Sequence, residues 1–332
     1  MFDILKTLCK TPSVSGREEA VRTKIETLVS PLADKTYTDA LGNLIAVKYG
    51  KGENKKKVML CAHMDEIGFL VTYIEENGWI RIASVGGIHY AASAFCEVIS
   101  EKGVAGVLVP NSDTKAADFT FDKFYIDIGA KNKKEAERKV KIGDFFVCRP
   151  EVRRLMGKRV CGRPLDDRIG CAIMIKIAEY FASNTPDNDV YYVFSVQEEV
   201  GLRGAKTAAF AIGCDYALVY DVTGTGDTPS SKPMACAVGD GAAIKIKDSS
   251  VICHKDVVDS LIALAKENKI THQIEILTYG GTDTSSIQMS GMGAKVGALS
   301  IPTRYIHSSV EMLDLGDAEA CVLLSERFIE SV

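Results

Sequence analysis

The sequence lacks any apolar run of the roughly 20 residues that a membrane helix requires. It also lacks a basic excess, because 44 acidic residues outnumber 40 basic ones and give a net charge of -4. Nucleic-acid binders usually present a basic face, so this balance argues against that class. The opening stretch MFDILKTLCKTPSVSG has neither the basic region nor the apolar core of a signal peptide. We therefore expect no membrane and no nucleic acid among the partners.

Cysteine is present ten times, yet no two cysteines form a C-x-x-C pair. Cys61, Cys171 and Cys236 lie inside apolar runs and are typical of small core residues. With no secretory context, reduced thiols are a better interpretation than disulfides. We therefore predict a cytoplasmic location. Internal repeats and low-complexity segments are absent as well.

What the sequence does have is apolar content for a large core, with 46% hydrophobic residues in a chain of 332. Strands and helices alternate after about residue 163, where the apolar-striped helix RIGCAIMIKIAEYFA precedes the strand DVYYVFSV. Earlier, VMLCA is typical of a strand buried on both faces of a sheet. Ser15-Gly16-Arg17-Glu18 is typical of a capping box that opens a helix. The pattern predicts an α/β fold, a mixed sheet sandwiched by helices.

Residues 68–162 have a different character, with short β-type segments separated by glycines. The stretch FLVTYIEENGWIRIASVGG alternates in hydrophobicity and turns at Asn77-Gly78, a strong hairpin signal. This pattern predicts a small β-rich domain at 68–162, inserted into a larger domain that comprises 1–67 plus 163–332.

Histidines and acids follow the apolar strands at four separate places. His63 directly follows VMLCA, and His307 comes shortly after AKVGALSIP. Glu198-Glu199 come shortly after VYYVFSV, and Asp221 directly follows YALVY. In doubly wound sheets, ligands and catalytic groups collect beyond the carboxyl ends of the strands. We therefore expect one crevice to gather these side chains.

The loop LDDR adds two acids, since either Asp166 or Asp167 could bind a metal or cap the helix that follows. Histidine and carboxylate without cysteine suit zinc, cobalt or manganese in a catalytic site. A carboxylate from this loop could bridge two ions, each of which would take one histidine and one further acid. Of the paired glutamates, one could bind metal while the other acts as general base. Asp65 could accept the second ring N–H of His63 and fix its tautomer.

Six motifs occur in the order AHMDEIGF, LDDRIGCA, QEEVGLRGA, YDVTGTGDTP, GGTDTSSIQ and PTRYIHSSVE. Together they resemble the tetrahedral aminopeptidase and glutamyl aminopeptidase family of dinuclear metallopeptidases. Members of that family often carry the label cellulase or endoglucanase as well. The resemblance covers nearly the whole chain.

The resemblance implies two divalent ions per subunit, zinc or cobalt, with manganese as a third candidate. The implied metal ligands are His63, Asp166 as the bridging acid, Glu199, Asp221 and His307. It implies two further roles, with Glu198 as the general base and Asp65 as the acid that orients His63. The larger domain then resembles a zinc exopeptidase, and the insert resembles a PDZ-like dimerisation domain. Such subunits commonly assemble as dimers or as a hollow tetrahedral dodecamer that admits short peptides.

These implications predict an aminopeptidase that releases N-terminal residues from short peptides. Two alternatives remain, a glycoside hydrolase of the endoglucanase type and a non-catalytic assembly protein. Glycoside hydrolysis uses two carboxylates that flank a sugar, without metal. Here the acids accompany histidines at strand ends, which favours metal-assisted hydrolysis.

Overall fold

A computed structural model describes residues 1–332, and none of its helices has the length and hydropathy to cross a membrane. The helices are α1 (Phe2–Cys9), α2 (Glu19–Val29), α3 (Tyr90–Ser93), α4 (Lys133–Glu137), α5 (Arg168–Ser183), α6 (Arg203–Ile212), α7 (Lys255–Glu267), α8 (Asp283–Gln288) and α9 (Leu315–Ser331). The strands are β1 (Lys35–Thr38), β2 (Leu44–Lys48), β3 (Lys57–His63), β4 (Gly68–Ile74), β5 (Ile80–Val85), β6 (Glu97–Ser100), β7 (Ala105–Pro110), β8 (Phe124–Asp127), β9 (Phe145–Cys148), β10 (Glu151–Arg154), β11 (Arg159–Arg163), β12 (Asp189–Ser195), β13 (Tyr216–Thr223), β14 (Ala242–Lys247), β15 (His272–Ile276), β16 (Lys295–Arg304) and β17 (Glu311–Asp314).

Eleven strands form one mixed sheet in the order β1-β2-β12-β3-β13-β16-β17-β11-β10, in which β14 pairs with β16 and with β15. The four strands β12, β3, β13 and β16 are parallel to their neighbours within this group. Their carboxyl ends therefore meet at one edge of the sheet, where Ser195 lies opposite His63. The predicted mixed sheet with helices is confirmed.

Burial on both faces explains why β3 is apolar along its length, since every residue from Val58 to His63 is buried. Helices α5 and α9 pack against each other, α6 packs against α8, and α5, α6 and α8 all contact β3. Eleven residues of α5 are buried, as its apolar sequence predicts. This packing fixes the positions of the strand ends.

Six strands between Gly68 and Cys148 close into a barrel in the order β4-β5-β8-β7-β6-β9. The hairpin predicted at Asn77-Gly78 joins β4 to β5, and the Gly78 amide donates to the Glu75 carbonyl at 2.9 Å. Gly78 has φ +93°, a left-handed conformation that glycine adopts readily. Phe124 lies in the apolar interior of the barrel and is fully buried.

The two strands that follow the barrel pair with the large sheet. Strand β10 pairs with β11, and β11 pairs with β17. The short β segments before and after residue 149 are similar in sequence character. Their pairing differs, however, because β11 pairs with β17, about 150 residues further along the chain. The chain therefore leaves the barrel after Cys148, whereas a domain boundary at 162 stays a prediction.

Candidate metal centre

His63 is the last residue of β3, and its ring lies among carboxylates at the carboxyl edge of the parallel strands. Its Nε2 atom is 3.1 Å from Asp166 Oδ1 and 3.8 Å from Asp221 Oδ1. Asp221 belongs to the neighbouring strand β13, and Asp166 lies in the loop between β11 and α5. All three side chains are buried. We call them the His63 group.

His307 lies beyond the end of β16 and faces the other oxygen of Asp166. Its Nε2 atom is 3.2 Å from Asp166 Oδ2 and 3.3 Å from Glu199 Oε2. We call His307, Asp166 and Glu199 the His307 group. Asp166 therefore lies between two histidines and offers one oxygen to each.

Asp167 also approaches His63, because its carboxylate lies within 4.8 Å of ligand atoms of His63 and Asp221. One of its oxygens caps α5 by accepting from the Gly170 amide at 3.0 Å. Its Oδ2 atom is buried and has no hydrogen-bond partner. Only Asp166 contacts both histidines, so the two acids that sequence spacing could not separate occupy different positions.

Glu198 follows β12, and its Oε2 atom is 4.0 Å from Nε2 of His63. Glu199 forms a set with His63 and Asp166 whose ligand atoms all lie within 4.8 Å of one another, whereas neither Glu198 nor His307 belongs to such a set. Both glutamates line a cavity of about 720 Å³ that also contains His63, Asp166 and His307. The geometry thus leaves Glu198 as the acid beside the two groups rather than within them.

Asp65 contacts His63 differently from the expectation. The Nδ1 atom of His63 is 3.1 Å from the Asp65 main-chain oxygen but 3.6 Å from the nearer carboxylate oxygen. The carboxylate instead accepts from the amides of Glu198 at 3.1 Å and Glu199 at 3.2 Å. Asp65 therefore connects His63 to the two glutamates: its main-chain oxygen contacts the imidazole, and its carboxylate accepts from the glutamate amides.

The predicted capping box is wrong, because both of its side chains point to this edge of the sheet. The Ser15 hydroxyl donates to Asp65 Oδ2 at 2.7 Å. Glu18 Oε1 accepts from the amides of Gly16 at 2.7 Å and Gln197 at 3.1 Å. Helix α2 begins at residue 19 without a side-chain cap. The N-terminal segment thus supports the loop that carries Glu198 and Glu199.

The site contains more acidic than basic groups. Two imidazoles face the carboxylates of Asp65, Asp166, Glu198, Glu199 and Asp221. Burial raises the pKa of Glu199 and of Asp221. Burial would lower the pKa of His307, but Asp166 and Glu199 raise it to about 11. Buried acids in such excess, with the orphaned oxygen of Asp167, fit divalent cations held by nitrogen and oxygen ligands.

The backbone around the site has unusual conformations. Gln197, Tyr305 and His307 have φ between +57° and +64°, the left-handed region that non-glycine residues rarely adopt. Such residues concentrate at functional sites, where surrounding contacts hold them. The amide of His89 donates to the His307 carbonyl at 3.0 Å, and Gly87 lies against the His307 ring. The segment that leads out of β5 thus borders the site.

Glu311 is a neighbour of the site that sequence patterns did not single out. Its Oε2 atom accepts from the amides of Leu165 at 2.7 Å and Asp166 at 3.2 Å. The available signal was an acid within the short apolar stretch VEML, four residues after His307. An acid at a buried strand position is unusual and indicates a specific partner.

Comparisons with known proteins agree with this geometry. The model of the M42 glutamyl aminopeptidase family matches residues 42–324. A protein of Acetivibrio thermocellus that carries an aminopeptidase name is 46% identical over 325 residues, covering 98% of this chain and 97% of the relative. An aminopeptidase structure from the archaeon Desulfurococcus kamchatkensis is 35% identical with a TM-score of 0.95, covering 99% of this chain and 94% of that one.

A further solved structure is the TET1 peptidase of Pyrococcus horikoshii, which can assemble into a tetrahedron or a large octahedral shell. It is 35% identical with a TM-score of 0.88, covering 100% of this chain and 99% of that one. These matches favour the peptidase over the glycoside hydrolase and the assembly protein. The chain belongs to the M42 glutamyl aminopeptidase family of peptide-bond hydrolases.

Proposed function

We propose that this aminopeptidase works with two divalent metal ions that share Asp166. The observation that carries the proposal is the Asp166 carboxylate, whose two oxygens lie 3.1 and 3.2 Å from the two histidines. One ion would be held by the His63 group and the other by the His307 group. Nitrogen and carboxylate oxygen ligands suit zinc or cobalt, with manganese as a third candidate.

Ions held by these residues would supply Lewis acidity, which would make a water molecule nucleophilic near neutral pH. Glu198 is the proposed general base, because it lines the same cavity and is free of the two ligand groups. It accepts the proton of the attacking water and passes it to the leaving amine. Asp65 fixes the base relative to His63, since its carboxylate holds the Glu198 amide and its carbonyl contacts the imidazole.

The proposed substrates are short peptides with a free N-terminus, from which one residue is released at a time. Beyond the two groups, the cavity extends along Thr225, Leu277 and Tyr279. Residues 280–282, part of the Gly-Gly-Thr-Asp turn of the sequence, line the same wall. This extension gives the first side chain of a peptide a place next to the proposed metal centre.

We also propose a homo-oligomer built from dimers, up to a tetrahedral dodecamer. The support is the assembly of the Pyrococcus horikoshii relative. The inserted domain at 68–162 would be the PDZ-like dimerisation domain, although pairing of β10 and β11 with the large sheet favours an end near residue 149. A dodecamer would have a mass near twelve times 36.0 kDa by light scattering, and a monomer would contradict the proposal. The cytoplasmic location stays a prediction.

The test is to strip the enzyme with a chelator and reload it with zinc, cobalt or manganese. Activity on a panel of aminoacyl-nitroanilides and on carboxymethylcellulose is then measured. We expect chelation to abolish nitroanilide cleavage, reloading to restore it with two ions per chain, and cellulose to stay intact. Full activity in the stripped enzyme, or a single ion per chain, would contradict the proposal.

A further inference from the structure

Glu311 is the first residue of β17, the strand that lies between β16 and β11 in the large sheet. Gly162 of β11 pairs with Glu311, and Arg304 of β16 pairs with the next residue of β17. Both neighbouring strands end here, so their loops leave the sheet on the two sides of Glu311. One loop carries Asp166 and the other carries His307.

The Glu311 carboxylate contacts the backbone of both loops. Its Oε2 atom accepts from the amides of Leu165 at 2.7 Å and Asp166 at 3.2 Å. Its Oε1 atom accepts from the His307 amide at 3.4 Å. A single fully buried side chain thus links two residues of the proposed metal centre that are 141 positions apart in sequence.

Arg163 is the counter-charge of Glu311 and contacts the same loop. Its guanidinium donates to the Ser308 carbonyl at 2.7 Å and lies 3.4 Å from Glu311 Oε1. Glu66 lies 4.0 Å from Arg163 and 3.6 Å from Arg168. Two acids and two arginines, all buried, therefore balance one another behind the site.

We propose that Glu311 is a positioning residue that sets the distance between Asp166 and His307 and so determines how tightly the metal centre binds its ions. This inference rests on the metal centre proposed above. His307 has a left-handed backbone, which persists only when neighbouring contacts hold it. Groups that orient metal ligands typically change metal affinity about 10–100-fold when mutated.

The experiment compares Glu311→Gln with Asp317→Asn. Asp317 is a matched control, because it is also a buried carboxylate that accepts from two backbone amides, those of Gly239 and Gly241, each at 2.8 Å. It does not line the cavity. Cobalt affinity is measured by chelator competition, the ligand geometry by the visible spectrum of the cobalt enzyme, and stability by thermal unfolding of the stripped protein.

Both variants should lower the melting temperature, but only Glu311→Gln should weaken cobalt binding by about 10–100-fold and change the visible spectrum. Wild-type affinity and spectrum in Glu311→Gln would overturn the proposal. Equal losses in Asp317→Asn would overturn it too, because general destabilisation would then explain both. A wild-type protein that binds no metal would instead refute the proposed metal centre itself.

Glu311→Gln removes the nearer of the two counter-charges of Arg163, so the variant risks failing to fold. The double variant Arg163→Gln/Glu311→Gln removes both charges and should bind cobalt at least as weakly as the single variant, because the contact of Arg163 with the Ser308 carbonyl is lost as well. Hydrogen exchange on the stripped wild-type enzyme gives an answer that needs no variant. The amides of Leu165, Asp166 and His307 should stay protected without metal, and rapid exchange at these amides would overturn the proposal.

Discussion

The barrel and the large sheet bury different kinds of residues. Among the charged residues of the barrel strands and their connections, only Asp144 is buried, and the interior is formed by side chains such as Phe69 and Phe124. The part of the chain that forms the large sheet buries a far larger apolar cluster together with many charged groups. Because an unpaired buried charge is costly, such groups persist where they are paired or where chemistry requires them. The buried charges therefore lie mainly in the region that contains the proposed metal centre.

The buried charges of the large-sheet region lie mostly around one edge. Behind the proposed metal centre are the pairs of Glu66 and Glu311 with their arginines. Another buried pair joins Lys245 to Glu275 at 2.5 Å. Glu275 also accepts from Thr223, at the carboxyl end of the strand that carries Asp221. The barrel has no comparable arrangement of buried charges.

The largest expected effect is on Glu198. We expect Glu198→Gln to lower kcat by about 10²–10⁴-fold, because the base that accepts the proton of water is lost. Metal content by elemental analysis should equal that of the wild type, since Glu198 lies outside both ligand groups. Retained turnover would remove Glu198 from the base role, and loss of metal would make it a ligand.

The neighbouring acids of the LDDR loop give the next largest effect. Asp166→Asn should release both ions, because this carboxylate faces both histidines. Asp167→Asn should keep both ions and change stability by less than about 0.5 kcal/mol, because the asparagine side-chain oxygen can still accept from the Gly170 amide and cap α5. Chelator competition and thermal unfolding of the two variants separate these outcomes. A loss of metal in Asp167→Asn as large as that in Asp166→Asn would make Asp167 a ligand of equal weight.

Replacing Glu66 tests how much the buried ion pairs behind the site contribute to stability. Glu66→Gln should destabilise the protein by about 3–5 kcal/mol, because Arg163 and Arg168 lose a shared counter-charge in a fully buried position. Urea unfolding of the stripped enzyme measures this loss. A change as small as that of an exposed ion pair would mean that solvent reaches these arginines.

Much of the fold follows from local sequence patterns. Helix α5 spans Arg168–Ser183, close to the apolar-striped segment that predicts it, and the hairpin at Asn77-Gly78 lies where its turn signal predicts. Strands β10 and β11 could not be assigned to their sheet. Strand β10 pairs with β11, and β11 in turn pairs with β17, which lies far along the chain. A short β segment does not identify so distant a partner.

The residues of the site likewise divide into those that local sequence patterns indicate and those that depend on distant contacts. Strand-end position indicates His63 and Asp221, because the carboxyl ends of parallel strands meet at one edge. Spacing cannot separate Asp166 from Asp167, since adjacent loop residues differ only in three-dimensional orientation. The only local signal for Glu311 is an acid within a short apolar stretch, and this signal does not identify its partners, one of which is a backbone amide 145 residues away.

A smaller effect, on the pH dependence of stability, is expected at Asp317 in the large-sheet region. Burial raises the pKa of Asp317 to about 7, although the amides of Gly239 and Gly241 lower it. Between about pH 4 and pH 7 the folded protein therefore binds a proton that the unfolded chain has released, so the free energy of unfolding falls as pH rises. Urea unfolding should show the wild type losing stability relative to Asp317→Asn across this window. A pH-independent difference would contradict the assignment.

The smallest effect is expected in the barrel, at the acid that most resembles the buried acids of the other region. Asp144 contacts the Lys102 amine at 2.6 Å and accepts from the Lys141 amide, but Lys102 is half exposed. We expect Asp144→Asn to cost about 1 kcal/mol, because water can still solvate the released amine. Metal affinity and turnover should keep their wild-type values. A loss as large as that of Glu66→Gln, or any change in metal binding, would mean that the barrel takes part in the chemistry and that burial of charge does not distinguish the two regions.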